Sequence, residues 1–151
     1  MIETTGDLWE LARDADAVVI TTNGFIKQNG EAVMGAGCAL EAKERHPWLP
    51  NRLGYMLAEK GNHVHRFSVS PEQGMVQSLV TFPVKDKWFN DANLMLIERS
   101  KQELEKLADR EGWTKIVMPR PGCGNGGLDW NEHVRPIIAR MDDRFVVTTY
   151  A

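Results

Sequence analysis

The stretch ADAVVITT, Ala15 to Thr22, does most to restrict what this chain can become, because it is β-branched and almost continuously apolar. A strand with one wet face alternates apolar and polar residues. A strand without polar alternation has to be covered on both sides. Such strands belong to sheets sandwiched between helices, so the flanking sequence should supply helices at short intervals.

It does. CALEAKERHP reads as a helix stopped near Pro47, and LPNRLGYMLAEKG as another closing at Gly61. VHRFSVS and MVQSLVTFPV read as strands separated by the turn signal Pro71 to Gly74. In NDANLMLIERSKQELEKLADREG, Leu94, Ile97, Leu104 and Leu107 recur near helical spacing, and Gly112 supplies the stop. TKIVMPR follows as a buried strand, LDWNEHVRPIIARM as a helix despite Pro136, and RFVVTTY as a last strand; Ile2 to Thr5 forms a short strand at the start. Alternating strands and helices predict a three-layer α/β/α fold around a mixed, largely parallel sheet. Ligands of such sheets bind outside the carboxyl ends of the strands.

A chain of 151 residues fits one domain, spanning 1–151. Its net charge of −3 carries no basic footprint, so a phosphate has to be caught by local groups rather than by a long-range field. Two distant cysteines, Cys38 and Cys123, fit a reducing compartment. The first residues lack the basic and apolar regions of a signal peptide, and no apolar run approaches the ~20 residues of a membrane span, so a cytoplasmic protein without membrane contact is expected.

Two glycine-rich segments lie after buried strands: NGFIKQNGEAVMGAG and GCGNGG. The second spells G-x-G-x-x-G through Gly122, Gly124 and Gly127, the form of a dinucleotide fingerprint. That fingerprint needs a carboxylate ~20 residues on, at the end of the next strand, to hold a ribose hydroxyl. Here the next strand ends in Thr148, Thr149 and Tyr150, and Asp142 and Asp143 come too early. A triphosphate-binding loop fails because GEAVMGA has Ala where the lysine should stand. A thiol phosphatase would need an arginine after Cys123, but Asn125, Gly126, Gly127, Leu128 and Asp129 follow; Cys123 reads better as a small residue in a tight turn. What survives is a pair of loops whose bare amides can surround a diphosphate.

Taken in order, GDLWE, AVVITTNG, VMGAGCALEAKERHP, FPVK and MPRPGCGNGGLDW resemble the macro domain, an ADP-ribose-binding α/β/α family. Within it they look most like the branch of DNA-directed antitoxin hydrolases and terminal ADP-ribose protein glycohydrolases. The resemblance implies that Asp7 and Leu8 meet the adenine, that Asn23 lies near the distal ribose, and that Gly35, Ala36 and Gly37 offer amides to the diphosphate. Gly122, Cys123, Gly124, Asn125 and Gly126 would fold over the same phosphates. Read without the resemblance, Asp7 before LWELA is equally a helix cap and Asn23-Gly24 a turn.

The resemblance also assigns Lys85, the lysine of FPVK, to removal of ADP-ribose, either by attack on the anomeric carbon or by stabilising the departing group. Lys87 does not match the motif. One departure stands out: hydrolases acting on protein glutamates carry an aspartate in the second loop, where this chain has Gly126. Asp129 reads as a helix cap, and the GCGNGG form is nearer the DNA-directed enzymes. No metal or cofactor is implied, since His46, His63, His65 and His133 lack ligand spacing and read as surface or half-buried residues.

Three functions are therefore in view: a hydrolase releasing ADP-ribose from DNA or protein, a non-catalytic reader of ADP-ribose, and a phosphatase on ADP-ribose 1″-phosphate. A monomer is the expected state. Trp48, Trp88, Trp113 and Trp130 read as packing anchors, with Trp88 and Phe89 placed where they can close over the distal ribose or a base.

Overall fold

A computed structural model of the chain describes residues 1–70 and 77–150. The Pro71 to Gly74 turn and the first residues of MVQSLVTFPV lie outside the described residues. In chain order the elements are β1 (Ile2–Thr5), α1 (Leu8–Leu11), β2 (Ala17–Asn23), α2 (Gly37–Arg45), α3 (Leu49–Lys60) and β3 (Arg66–Val69). Then come β4 (Gln77–Lys85), α4 (Leu94–Glu111), β5 (Ile116–Pro119), α5 (Arg135–Ile138) and β6 (Phe145–Thr149). The sheet runs β1-β6-β5-β2-β4-β3, parallel throughout except for the antiparallel edge strand β3.

The apolar run that singled out β2 is buried for the predicted reason. Ala17 and Val19 point into one core with Val80, Phe82, Ile116, Met118, Ile97 and Leu104, beneath α4. Val18 and Ile20 point into the other with Leu79, Val117, Leu8, Ala42 and Leu53, beneath α1, α2 and α3. The two cores make three layers, as expected.

From β2 the chain runs to the edge strand β3, returns beside β2 as β4, then crosses over β2 to β5 and β6. Strand order reverses at β2. The crevice outside the carboxyl ends of β2, β4 and β5 is thus the switch point at which α/β sheets place their ligands.

Two expectations need correction. LDWNEHVRPIIARM is not one helix. The chain makes a π turn, Trp130–Val134, and then only the single turn α5. Pro136 has no N–H and cannot continue an α-helical ladder. The amides of His133 and Val134 both reach the Asp129 carbonyl (3.1 and 3.3 Å), and the proline falls in the first turn of α5, where no donor is required. His65 is also not at the surface or half-buried: its residue is 6% exposed, with Nε2 2.9 Å from the Gly61 carbonyl.

Candidate functional site

A cleft of about 960 Å³ occupies the switch point, within the range of pockets that hold small ligands. Both glycine segments line it, through Gly35, Ala36 and Gly37 on one side and Gly122 to Gly126 on the other. Where they meet, a β-carbon on Gly37 would lie 3.6 Å from Asn125 Nδ2.

The first loop is fixed before it reaches the cleft. Lys27 N donates to the Glu31 carbonyl (2.8 Å), and Ala32 N donates to the Pro50 carbonyl (2.9 Å) at the start of α3. Ala36 then caps α2 with no side-chain bond, so the first amides of a nine-residue helix face the cleft uncapped. The second loop closes through Leu128 N to the Gly122 carbonyl (3.0 Å) and Gly127 N to the Gly124 carbonyl (3.3 Å). Among the described residues the amides of Gly35, Ala36, Gly124, Asn125 and Gly126 find no acceptor. Free amides converging from two sides are what an anion with two phosphates requires.

Glycine is obligatory at two places in the second loop. Gly122 has φ 73°, and a β-carbon there would come within 2.9 Å of both Ala92 and Ile97. At Gly126 a β-carbon would lie 2.5 Å from the Gly122 carbonyl oxygen and 2.7 Å from its Cα. The position matched to the glutamate-hydrolase aspartate is therefore one where this loop, as folded, admits no side chain.

The FPVK segment places Lys85 by way of its proline. Pro83 cannot donate to the ladder of a central strand. The β2–β4 register slips at this point, from Thr22 opposite Pro83 to Asn23 opposite Lys85, so the asparagine and the lysine end adjacent strands side by side in the cleft wall. The Lys85 carbonyl accepts from Gly24 N (3.2 Å) and Asn62 Nδ2 (3.2 Å). Asn23 Nδ2 donates to the Val33 carbonyl (3.2 Å) and Oδ1 accepts from Phe25 N (3.0 Å), so the side chain holds the first loop as well as facing the cleft.

At the far end, Leu8 lines the wall but Asp7 does not. Asp7 Oδ1 accepts from Trp9 N (2.8 Å) and Glu10 N (3.0 Å), the helix cap that LWELA allowed. Tyr150 is the exposed ring at this end. Its phenol is pushed up by burial first, then by the carboxylates of Glu41 and Asp7. Asp129 behaves as read, accepting from Glu132 N at 2.8 Å as a cap.

No family model matches the chain. Its fold superposes on the macrodomain of Mycobacterium tuberculosis DarG with a TM-score of 0.78, at 25% identity, over 99% of this chain and 97% of that one. The chain is a macro domain. This macro domain is 31% identical over 139 residues, 89% of its length, to a DNA ADP-ribosyl glycohydrolase of M. tuberculosis, and it spans 37% of that relative's length. Thermosipho africanus DarTG, solved in complex with ADP-ribose, superposes with a TM-score of 0.79 at 20% identity, over 95% of this chain and 39% of that one.

Residues that sequence reasoning left out complete the macro domain's cleft: Thr148, Thr149 and Tyr150 from β6 onward, Arg120 after β5, and Phe25 and Lys27 in the first loop. Arg120 is held over the Trp130 ring at 5.0 Å, and Trp130 Nε1 donates to Glu3 (2.9 Å). Of the tryptophans, Trp113 and Trp130 are buried anchors, whereas Trp88 lines the cleft and is 52% exposed.

The surroundings of Cys123 disfavour the thiolate that a nucleophile would need. Burial above all, with Asp129 adding and Arg120 opposing, pushes its thiol up to about 11. At pH 8 about one molecule in a thousand carries the thiolate, the reactive form. Alkylation of Cys123 by iodoacetamide, followed by mass spectrometry, is expected to accelerate about tenfold per pH unit from pH 8 to 10; rapid labelling at pH 7 would contradict this environment.

Proposed function

We propose that this macro domain binds ADP-ribose across the cleft and hydrolyses it from a modified macromolecule, with a nucleobase as the attachment favoured over a protein side chain. The observation that carries the proposal is the convergence of the two sets of free amides at the switch point, with Lys85 and Asn23 side by side at one end. The diphosphate rests on Gly35 to Gly37 and Gly122 to Gly126, helped by the dipole of α2. The adenine lies toward Leu8, Asp7 and Tyr150, and the distal ribose toward Asn23 and Lys85.

Two routes use Lys85. In the first, the unprotonated amine attacks C1″, a C–N bond replaces the bond to the departing group, that group takes up a proton, and water later frees the sugar. In the second, the ammonium donates its proton to the departing group as water attacks C1″. Glu41 is the one carboxylate among the described residues of the wall. A lysine–aspartate pair of the glutamate-hydrolase kind is not assembled, which weighs toward a nucleobase substrate.

The same observation supports the second reading, an ADP-ribose reader. To separate them, the protein is incubated with ADP-ribosylated single-stranded DNA, ADP-ribosylated protein and ADP-ribose 1″-phosphate, alongside calorimetry with ADP-ribose. Release from the DNA is expected. Binding without release from any of the three makes the protein a reader, phosphate release alone makes it a phosphatase, and no heat with millimolar ADP-ribose removes the ligand assignment.

A further inference from the structure

The segment following Lys85 carries two exposed aromatic rings to which the proposed ADP-ribose binding assigns no role. Trp88 and Phe89 are 52% and 59% exposed, and their rings pack edge to face, 5.4 Å apart at 88°. Trp88 forms part of the cleft wall beside Lys85, and Phe89 continues the aromatic surface outward. Large rings left in water at the mouth of a cleft contribute little to the core.

Their placement is fixed from below. Ala92 N donates to the Gly126 carbonyl (2.9 Å), Asn93 N to the Val84 carbonyl (2.8 Å) and Asn90 N to the Lys87 carbonyl (3.1 Å). The base of this loop is thus tied to β4 and to the second glycine loop, while its tip carries the rings. Lys87 Nζ lies 5.8 Å from the Phe89 centroid, and Lys27 and Lys85 line the same cleft as Trp88. None of these lysines pairs with a described carboxylate. Asp86, between Lys85 and Lys87, accepts from Asn62 Nδ2 at 2.9 Å, which draws its Oδ1 toward the segment after α3 without removing its charge.

Aromatic faces interleaved with unpaired cations are the means by which proteins hold single-stranded nucleic acid, bases on rings and phosphates on lysines. With a net charge of −3, the chain can offer such an attraction only locally. From the proposed function, whatever departs from C1″ leaves beside Lys85, at this mouth. We infer that Trp88 and Phe89 are a stacking platform for the modified nucleobase of an ADP-ribosylated single strand and for the base next to it. A base still paired in a duplex cannot reach these rings; an unpaired or extruded one can.

The test measures binding, so that it does not depend on turnover. In a Lys85→Ala background, affinities are compared for free ADP-ribose, an ADP-ribosylated single-stranded oligonucleotide and an ADP-ribosylated peptide, with Trp88→Ala, Phe89→Ala and Trp88→Phe added in turn. Both rings are exposed, and melting curves check that each variant folds. The modified strand should bind more tightly than free ADP-ribose, and Trp88→Ala should weaken the strand about tenfold more than it weakens free ADP-ribose. Phe89→Ala should show the same bias more weakly, and Trp88→Phe should restore most of the loss. Equal losses on all three ligands, no advantage of strand over free ADP-ribose, or a loss confined to the peptide would each overturn the platform while leaving ADP-ribose binding in place. Failure of every ligand to bind would instead bring down the proposed function, and the platform with it.

Discussion

Replacing Lys85 by alanine is expected to lower the rate of ADP-ribose release about a thousandfold while changing the affinity for ADP-ribose less than about threefold. The size follows from what a positioned proton carrier or nucleophile contributes to a reaction of this type. The selectivity follows from the proposed binding mode, in which backbone amides on two other loops, and not this side chain, hold the diphosphate. Lys85→Arg keeps the positive charge but removes the attacking amine, since a guanidinium does not deprotonate. Substantial activity in the arginine variant therefore selects the route in which the cation stabilises the departing group. Full activity in the alanine variant would remove Lys85 from the mechanism even if release by the wild type stands.

Introducing aspartate at Gly126 should damage the site, not create a glutamate hydrolase. A β-carbon there would sit 2.5 Å from the Gly122 carbonyl oxygen and 2.8 Å from its carbonyl carbon, backbone atoms that cannot swing aside. The loop has to open, which breaks the Ala92 N to Gly126 carbonyl bond and turns the amides of Gly124 to Gly126 away from the diphosphate. A fall in stability of about 1–3 kcal/mol is expected from such overpacking, read from thermal or urea unfolding. Calorimetry should show ADP-ribose binding weakened tenfold or more. An unchanged melting temperature together with new release from glutamate-linked ADP-ribose would mean that this loop rearranges at little cost.

Much of this architecture was open to reading because burial and backbone chemistry leave local traces. ADAVVITT announces a doubly covered strand without reference to any other residue, and clustered glycines announce bare amides. The lysine of FPVK could be singled out, but not its neighbour: that Lys85 faces Asn23, 62 positions earlier in the chain, depends on a register slip at Pro83. Tyr150 and Thr148 escaped notice for a similar reason, since they reach the cleft only because β6 lies between β1 and β5. Asp7 satisfied two local readings at once, and only the positions of the Trp9 and Glu10 amides show which its Oδ1 serves. At Pro136 the misreading was one of helix type: apolar spacing runs straight through the segment, while the amides of His133 and Val134 both return to the Asp129 carbonyl and the proline opens a separate turn.

The Lys85 carbonyl is gripped from two sides, by Gly24 N and by the amide of Asn62, which lies outside the cleft just after α3. Only the lysine's own four-carbon stem is left to move. Two hydrogen bonds thus fix the backbone of the strand end that carries the amine before any ligand arrives. For the proposed hydrolysis, pre-steady-state kinetics are expected to show no slow phase before the chemical step.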